Sequence, residues 1–266
     1  MNRTIALNTP PSSDVSSSQP DKATLASLWS RKWHDLVVRL RFRFYLPAVK
    51  SASLEGVRLD LRGLSPMMKN IILTKRYEAQ ERRLCAKSLG AGDVVLELGG
   101  AIGFVGLYCR KALGVKRVVS VEANPATLAR LHDNYERNGL HAEVIHAAAG
   151  ATDGTLDLDV SGEFWENRVS GNESASAAKV ITVPALSLAS ILDRLPDPPT
   201  ALVCDIEGAE RFLDFSVLPN SVKTIIMELH PDFIGEEATR GILDRLARLG
   251  FDLILEDGGS VLLRRA

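Results

Sequence analysis

The feature that most constrains this chain is an alternation, from Tyr77 onward, of short apolar runs with longer stretches of helical pattern. The runs are DVVLEL (93–98), RVVSVE (117–122), AEVIHAAA (142–149), VITVPA (180–185), ALVCDIE (201–207), TIIMELH (224–230), FDLILE (251–256) and SVLLRR (260–265). Between them lie the helical GFVGLYCRKAL, PATLARLHDNYERNGL closed by Asn138 and Gly139, Leu186 to Leu195 before PDPP, and GEEATRGILDRLARLG ended by Gly250. Strands alternating with crossover-length helices predict an α/β fold, a mostly parallel sheet with helices on both faces. Asp257, Gly258 and Gly259 join the last two runs and signal a hairpin, which predicts an antiparallel strand at one edge.

With 266 residues, 45% of them hydrophobic, most of the chain has the means to bury a core. Residues 1–24 include TPPSSDVSSSQPD and are expected to form a disordered tail, since they offer few apolar groups to offset ordering entropy. Residues 25–76 read as a basic and aromatic cap segment, and 77–266 as the main domain. Leu25, Leu28, Trp29, Trp33, Leu36 and Val37 recur at helical spacing, which predicts a helix ending before Pro47. From Arg39, RLRFRFY alternates with period two and also fits a strand. Such a segment, 25–46, either packs against the main domain, the expected arrangement, or makes a peripheral contact with an anionic membrane.

A formal net charge of −1 gives no reason to expect a nucleic-acid partner. Cys85, Cys109 and Cys204 form no CxxC pair and fit a reducing cytoplasm. No apolar run approaches the roughly 18 residues of a membrane span. Five scattered His supply no metal-ligand spacing.

In an open parallel sheet, ligands bind beyond the carboxyl ends of the strands. After the first strand stands ELGGAIG (97–103), whose Gly99, Gly100 and Gly103 do not fit the GxGxxG register of a dinucleotide fold. An acid, Glu97, two residues before the first glycine is instead the S-adenosylmethionine pattern. The second strand ends in VEANP (121–125), where Glu122 is placed to accept both hydroxyls of a ribose, with Ala123 beside it. Ala148, after the third strand, is expected near the adenine. The fourth ends in CDIEGAE (204–210), and Asp205 or Glu207 could take a proton from an acceptor hydroxyl or, paired, hold a divalent cation. Glu210 fits the start of the next helix equally well. The fifth ends in ELHP (228–231), bringing another acid and His230, a candidate general base. The polar stretch 162–179, with Phe164 and Trp165, suits an acceptor-binding loop or a plain surface loop.

Tyr77 with Glu78, ELGGAIG, VEANP, Asn138 with Gly139, DIEGAE (205–210) and MELHP (227–231) together resemble the FkbM-type methyltransferases, over roughly residues 75–266. The resemblance implies a seven-stranded, Rossmann-like class I methyltransferase fold, S-adenosylmethionine as cofactor, and O-methylation of a hydroxyl on a sugar or natural-product-like small molecule. It places Glu97, Gly99, Gly103 and Glu122 against the cofactor, Tyr77 and Glu78 near it, and Asp205 and Glu207 toward the acceptor. The chain departs from the family's usual pattern in having Glu97 for Asp, Gly100 and Ala101 for Ala and Asn, and Cys204 for the Lys before Asp205. Ala101 and Cys204 keep open a binding protein that has lost turnover, and the basic segment 31–43 keeps open methylation of a protein or RNA.

Overall fold

The computed structural model describes residues 36–160, 168–169 and 179–266. The expected tail 1–24, the aromatic positions Trp29 and Trp33, and Phe164 and Trp165 of the polar loop lie outside the described residues.

Continuous apolar runs become the middle of the sheet because they are covered on both faces. Strand β3 (Val94–Leu98) is buried at all five positions, as is β10 (Ala201–Cys204) at all four. With β4 (Arg117–Glu122), β5 (Glu143–His146), β11 (Thr224–Glu228), β12 (Phe251–Asp257) and β13 (Ser260–Arg265) they form a seven-stranded sheet. Its order is β12-β13-β11-β10-β3-β4-β5. The pairings among β5, β4, β3, β10 and β11 are parallel, while β13 runs antiparallel between β11 and β12. The terminal hairpin thus closes this edge of the sheet, with its second strand inserted inside its first.

Successive strand residues feed opposite layers. Val95 packs in one cluster with Leu84, Leu107, Leu131 and Tyr135, from α2 (Ala79–Ser88), α3 (Phe104–Lys111) and α4 (Pro125–Arg137). Leu96 and Leu98 pack in the other with Leu188 and Ile191 of α5 (Leu188–Leu192) and Ile242 and Leu246 of α7 (Glu236–Arg248). Two further short helices are α1 (Pro66–Leu73) and α6 (Pro231–Ile234).

Three expectations are corrected. The run 142–149 is not one strand: β5 ends at His146 and the chain turns into β6 (Ala148–Gly150). That strand pairs with β9 (Val180–Ser187) in a separate four-stranded sheet, β6-β9-β7-β8, completed by β7 (Gly154–Asp159) and β8 (Arg168–Val169). So VITVPA does not enter the main sheet, and the polar stretch 155–161, outside the runs read as strands, supplies most of β7. The period-two reading of RLRFRFY also fails, since residues 36–48 are helical, with a π turn at Arg41–Tyr45.

The chain divides into units Met1–Leu46 and Pro47–Ala266. The stretch 47–76, expected as part of the cap segment, falls in the second unit. It forms a hairpin, β1 (Ser51–Leu54) and β2 (Val57–Asp60), around Glu55 and Gly56, both at positive φ as a two-residue hairpin turn requires. Asn134 and Asn138 of the α4 end hold β2: the Asn134 Oδ1 accepts from the Asp60 amide at 2.8 Å, and the Asn138 side chain bonds both backbone groups of Arg58.

Candidate active site

The strand order reverses at the centre of the sheet, with β4 and β5 on one side of β3 and β10 and β11 on the other. A crevice opens there, beyond the carboxyl ends of the strands. The loop after β3 is strapped down by its own amides: Gly99 and Gly100 donate to Val121 O at 2.9 and 3.1 Å, and Ala101 donates to Glu122 Oε2 at 2.8 Å. Gly99 sits at φ +87, and a Cβ there would lie 1.8 Å from the carbonyl oxygen of Asp205. Only glycine lets the ends of β3 and β10 approach so closely.

Ala101 occupies the left-handed region at φ +42, where an L side chain costs about 1–2 kcal/mol. The family's usual Asn tolerates that conformation better than Ala does. Replacing Ala101 with glycine is expected to stabilise the protein by about 1 kcal/mol, raising Tm by about 3 °C in a thermal melt. An unchanged or lower Tm would mean that the loop carries no such strain.

Glu122 is buried, and its Oε1 accepts from the Asn124 amide at 2.8 Å while Oε2 holds Ala101. Burial pushes its pKa up to about 7, against the pull of these amides. A carboxylate has about four acceptor positions, so Glu122 retains capacity for a ligand hydroxyl. Glu97, expected to face the ligand, turns the other way. Strand period places it in the layer of Val95, where its carboxylate accepts from the Ser120 hydroxyl and sits where a Cβ on Gly106 would reach it at 2.9 Å. Burial raises its pKa to about 7 as well.

Two clefts meet at the end of β10. The first, of about 710 Å³, is lined by Glu78, Gly99, Ala101, Glu122, Ala123 and Ala148 among others, and by Asp205 and Glu207. The second, of about 1100 Å³, shares Glu78, Asp205 and Glu207 and extends past Tyr77 to Met68, Ile71, Lys75 and Arg76. Five of the nine residues expected around the cofactor therefore line one cleft: Glu78, Gly99, Glu122, Ala123 and Ala148. Tyr77, Glu97 and Gly100 line instead a cavity of about 300 Å³ around the glycine loop. Gly103, at φ +81, heads α3 and faces Leu131 and Tyr135. Sequence reasoning missed Leu158 on β7, which lines the first cleft. Its signal was the alternation of Leu156 and Leu158 within the polar run.

Behind the shared wall lies a cluster of acids around one imidazole. His230 Nε2 is 3.5 Å from both Asp205 Oδ1 and Glu207 Oε2, and its Nδ1 is 3.1 Å from Glu210 Oε1. Glu210 stands in the first turn of a short 3-10 helix (Ala209–Phe212), as expected of a charge at a helix start, but it is fully buried there and accepts from the amides of Ile206 and Gly208 at 3.2 and 3.3 Å. Phe233 stacks on the imidazole at 5.8 Å. Burial disfavours the His230 cation, but Glu210, Asp205 and Glu207 outweigh it and raise its pKa to about 9. Surrounded by these carboxylates, His230 favours its protonated form, which makes Asp205 the better candidate for the base. Asp205 is pushed up to about 7 by burial and then by Glu207, with His230 pulling it back. That value suits a carboxylate meant to accept a proton near neutrality. Glu228 is raised to about 8, by burial and then by Asp205. The ligand atoms of Asp205, Glu228 and His230 lie within 4.8 Å of one another, a spacing from which three groups could hold a divalent cation.

The Methyltransferase FkbM domain model matches residues 93–253. The probable ribosomal RNA small subunit methyltransferase A of Methanosarcina barkeri is 39% identical over 65 residues, 24% of this chain and 22% of that protein. The chain thus spans about a fifth of that curated relative. Among solved structures, the chain is similar to the ribosomal protein L11 methylase of Lactobacillus delbrueckii subsp. bulgaricus, at TM-score 0.46 and 13% identity, covering 72% of this chain and 80% of that one. It is also similar to the precorrin-6y C5,15-methyltransferase of Geobacter metallireducens, at TM-score 0.46 and 12% identity, covering 71% and 88%.

Proposed function

Because the chain belongs to the FkbM methyltransferase family, whose cofactor is S-adenosylmethionine, we propose that it methylates a hydroxyl of a sugar or natural-product-like small molecule. The observation that carries this reading is the meeting of two clefts at Asp205 and Glu207. The first cleft has the parts the cofactor needs. Glu122 offers acceptor capacity for a ribose, Ala147 to Ala149 and Leu158 give an apolar slot for adenine, and Gly99 and Ala101 bring bare backbone to the amino-acid end. The donor set is acidic, which suits a ligand carrying a sulfonium and an ammonium.

When bound, S-adenosylmethionine supplies an electrophilic methyl carbon. The chain's own residues do the rest. The second cleft holds the acceptor, with its hydroxyl at the shared wall. Asp205 would take the hydroxyl proton as the oxygen bonds to the methyl carbon and the carbon–sulfur bond breaks, its electron pair staying on the thioether sulfur that leaves. His230, held by Glu210, keeps Asp205 and Glu207 in place with its positive charge. Most of the rate comes from alignment of oxygen and methyl, for which effective molarities reach about 10⁵–10⁸ M.

The test is incubation with deuteromethyl-labelled S-adenosylmethionine and a panel of hydroxylated sugars and macrolides, read by mass spectrometry. Label on an acceptor oxygen is the expected result. Label found only on protein or RNA would overturn the small-molecule acceptor, while the cofactor assignment would stand.

A further inference from the structure

The N-terminal unit carries a surface that methyl transfer does not use. Residues 36–48 are helical, and apart from Phe42 and the buried Leu46 their large apolar side chains are exposed. Leu36 is 45% exposed, Val37 56%, Leu40 48% and Phe44 63%. At helical spacing these four share one face of the helix. Arg39 and Arg43 fall on one flank of that face and Arg41 on the other, and the Arg43 guanidinium lies 5.8 Å from the Phe44 ring. No acidic residue occurs between Asp35 and Glu55. An exposed apolar stripe bordered on both sides by arginine is costly in water and is the pattern of a helix that lies in a lipid interface.

We propose that this helix docks the protein on an anionic membrane surface. Leu36, Leu40 and Phe44 enter the boundary between headgroups and acyl chains, while Arg39, Arg41 and Arg43 meet lipid phosphates and carboxylates. The charges select this occupant over others. A second copy of the helix would oppose arginine to arginine. A nucleic acid would neutralise the arginines but leave the apolar stripe in water.

Sedimentation of the full chain with vesicles of phosphatidylcholine, with and without phosphatidylserine, tests the proposal. Binding is expected only with phosphatidylserine, and it should weaken with salt. Leu40→Asp and Phe44→Asp change exposed side chains, so circular dichroism should be unaltered while vesicle binding is lost. Arg39→Gln with Arg43→Gln should weaken partitioning by about thirtyfold, at about fivefold per arginine. Four results would overturn the proposal: no binding of the parent chain to either vesicle; equal binding by Phe44→Asp; dimerisation in solution abolished by Phe44→Asp; or binding to RNA but not to vesicles. Because the readout is vesicle binding, it is independent of whether methyl transfer is found.

Discussion

Asp205→Asn is expected to lower kcat about 10²–10⁴-fold, the usual worth of a positioned general base, while S-adenosylmethionine still binds. The asparagine side chain keeps the shape that reaches His230 Nε2 at 3.5 Å but cannot accept the proton. The pH dependence follows from the same group. Its carboxyl titrates at about 7, so the rate of the parent enzyme should rise with pH through 7. Stability should run the other way. A carboxyl raised from 3.8 to about 7 on folding contributes most below 3.8, and that contribution is lost as pH rises through 7. At pH near 8 the parent therefore bears a half-buried, ionised Asp205, and the asparagine variant should melt no lower than the parent. His230, raised from 6.5 to about 9, adds stability that is full below 6.5 and disappears as pH passes 9. An Asp205→Asn enzyme with parental kcat would remove Asp205 from the chemistry. One that melts well below the parent at pH 8 would make it structural instead.

Gly99→Ala should be the most damaging small substitution in the loop. The added methyl would fall 1.8 Å from Asp205 O, a main-chain atom whose own amide is tied to Leu98 O at 2.9 Å, so neither strand end can yield cheaply. Overpacking of this kind costs about 1–3 kcal/mol, and alanine at φ +87 adds about 1–2 more. Together this predicts a Tm lower by roughly 10 °C and loss of S-adenosylmethionine binding. A variant that melts within about 2 °C of the parent and binds normally would show that β3 and β10 separate easily there.

The central strands were legible because they are buried on both faces and therefore read as apolar runs, unbroken in ALVC and interrupted only by Glu97 in VVLEL. The glycine loop, Glu122 and Asp205 were legible because such sites lie at strand ends in this architecture. What was hidden depended on the third dimension. Nothing within AEVIHAAA marks the place where the chain leaves one sheet for another; Ala147 still donates to Glu122 O before β6 joins β9. Glu97 fits its motif, yet strand period turns its side chain beneath the loop rather than into the cleft. His230 read as a candidate base because an ordinary imidazole, with a pKa near 6.5, stands there at a strand end. Its charge is set by Glu210, twenty residues earlier in the chain. The β1–β2 hairpin, by contrast, carried a readable Glu-Gly turn signal between two strands of only four residues each.

The most direct test of the central claim is calorimetric titration of the full chain with S-adenosylmethionine and, separately, with NAD, comparing the parent with Glu122→Gln. Saturable binding of S-adenosylmethionine alone is predicted, weakened at least tenfold in the variant, which loses one carboxylate oxygen and about 1.4 kcal/mol of binding. No binding of S-adenosylmethionine by a folded parent chain would contradict the account and leave a binding protein on a methyltransferase fold.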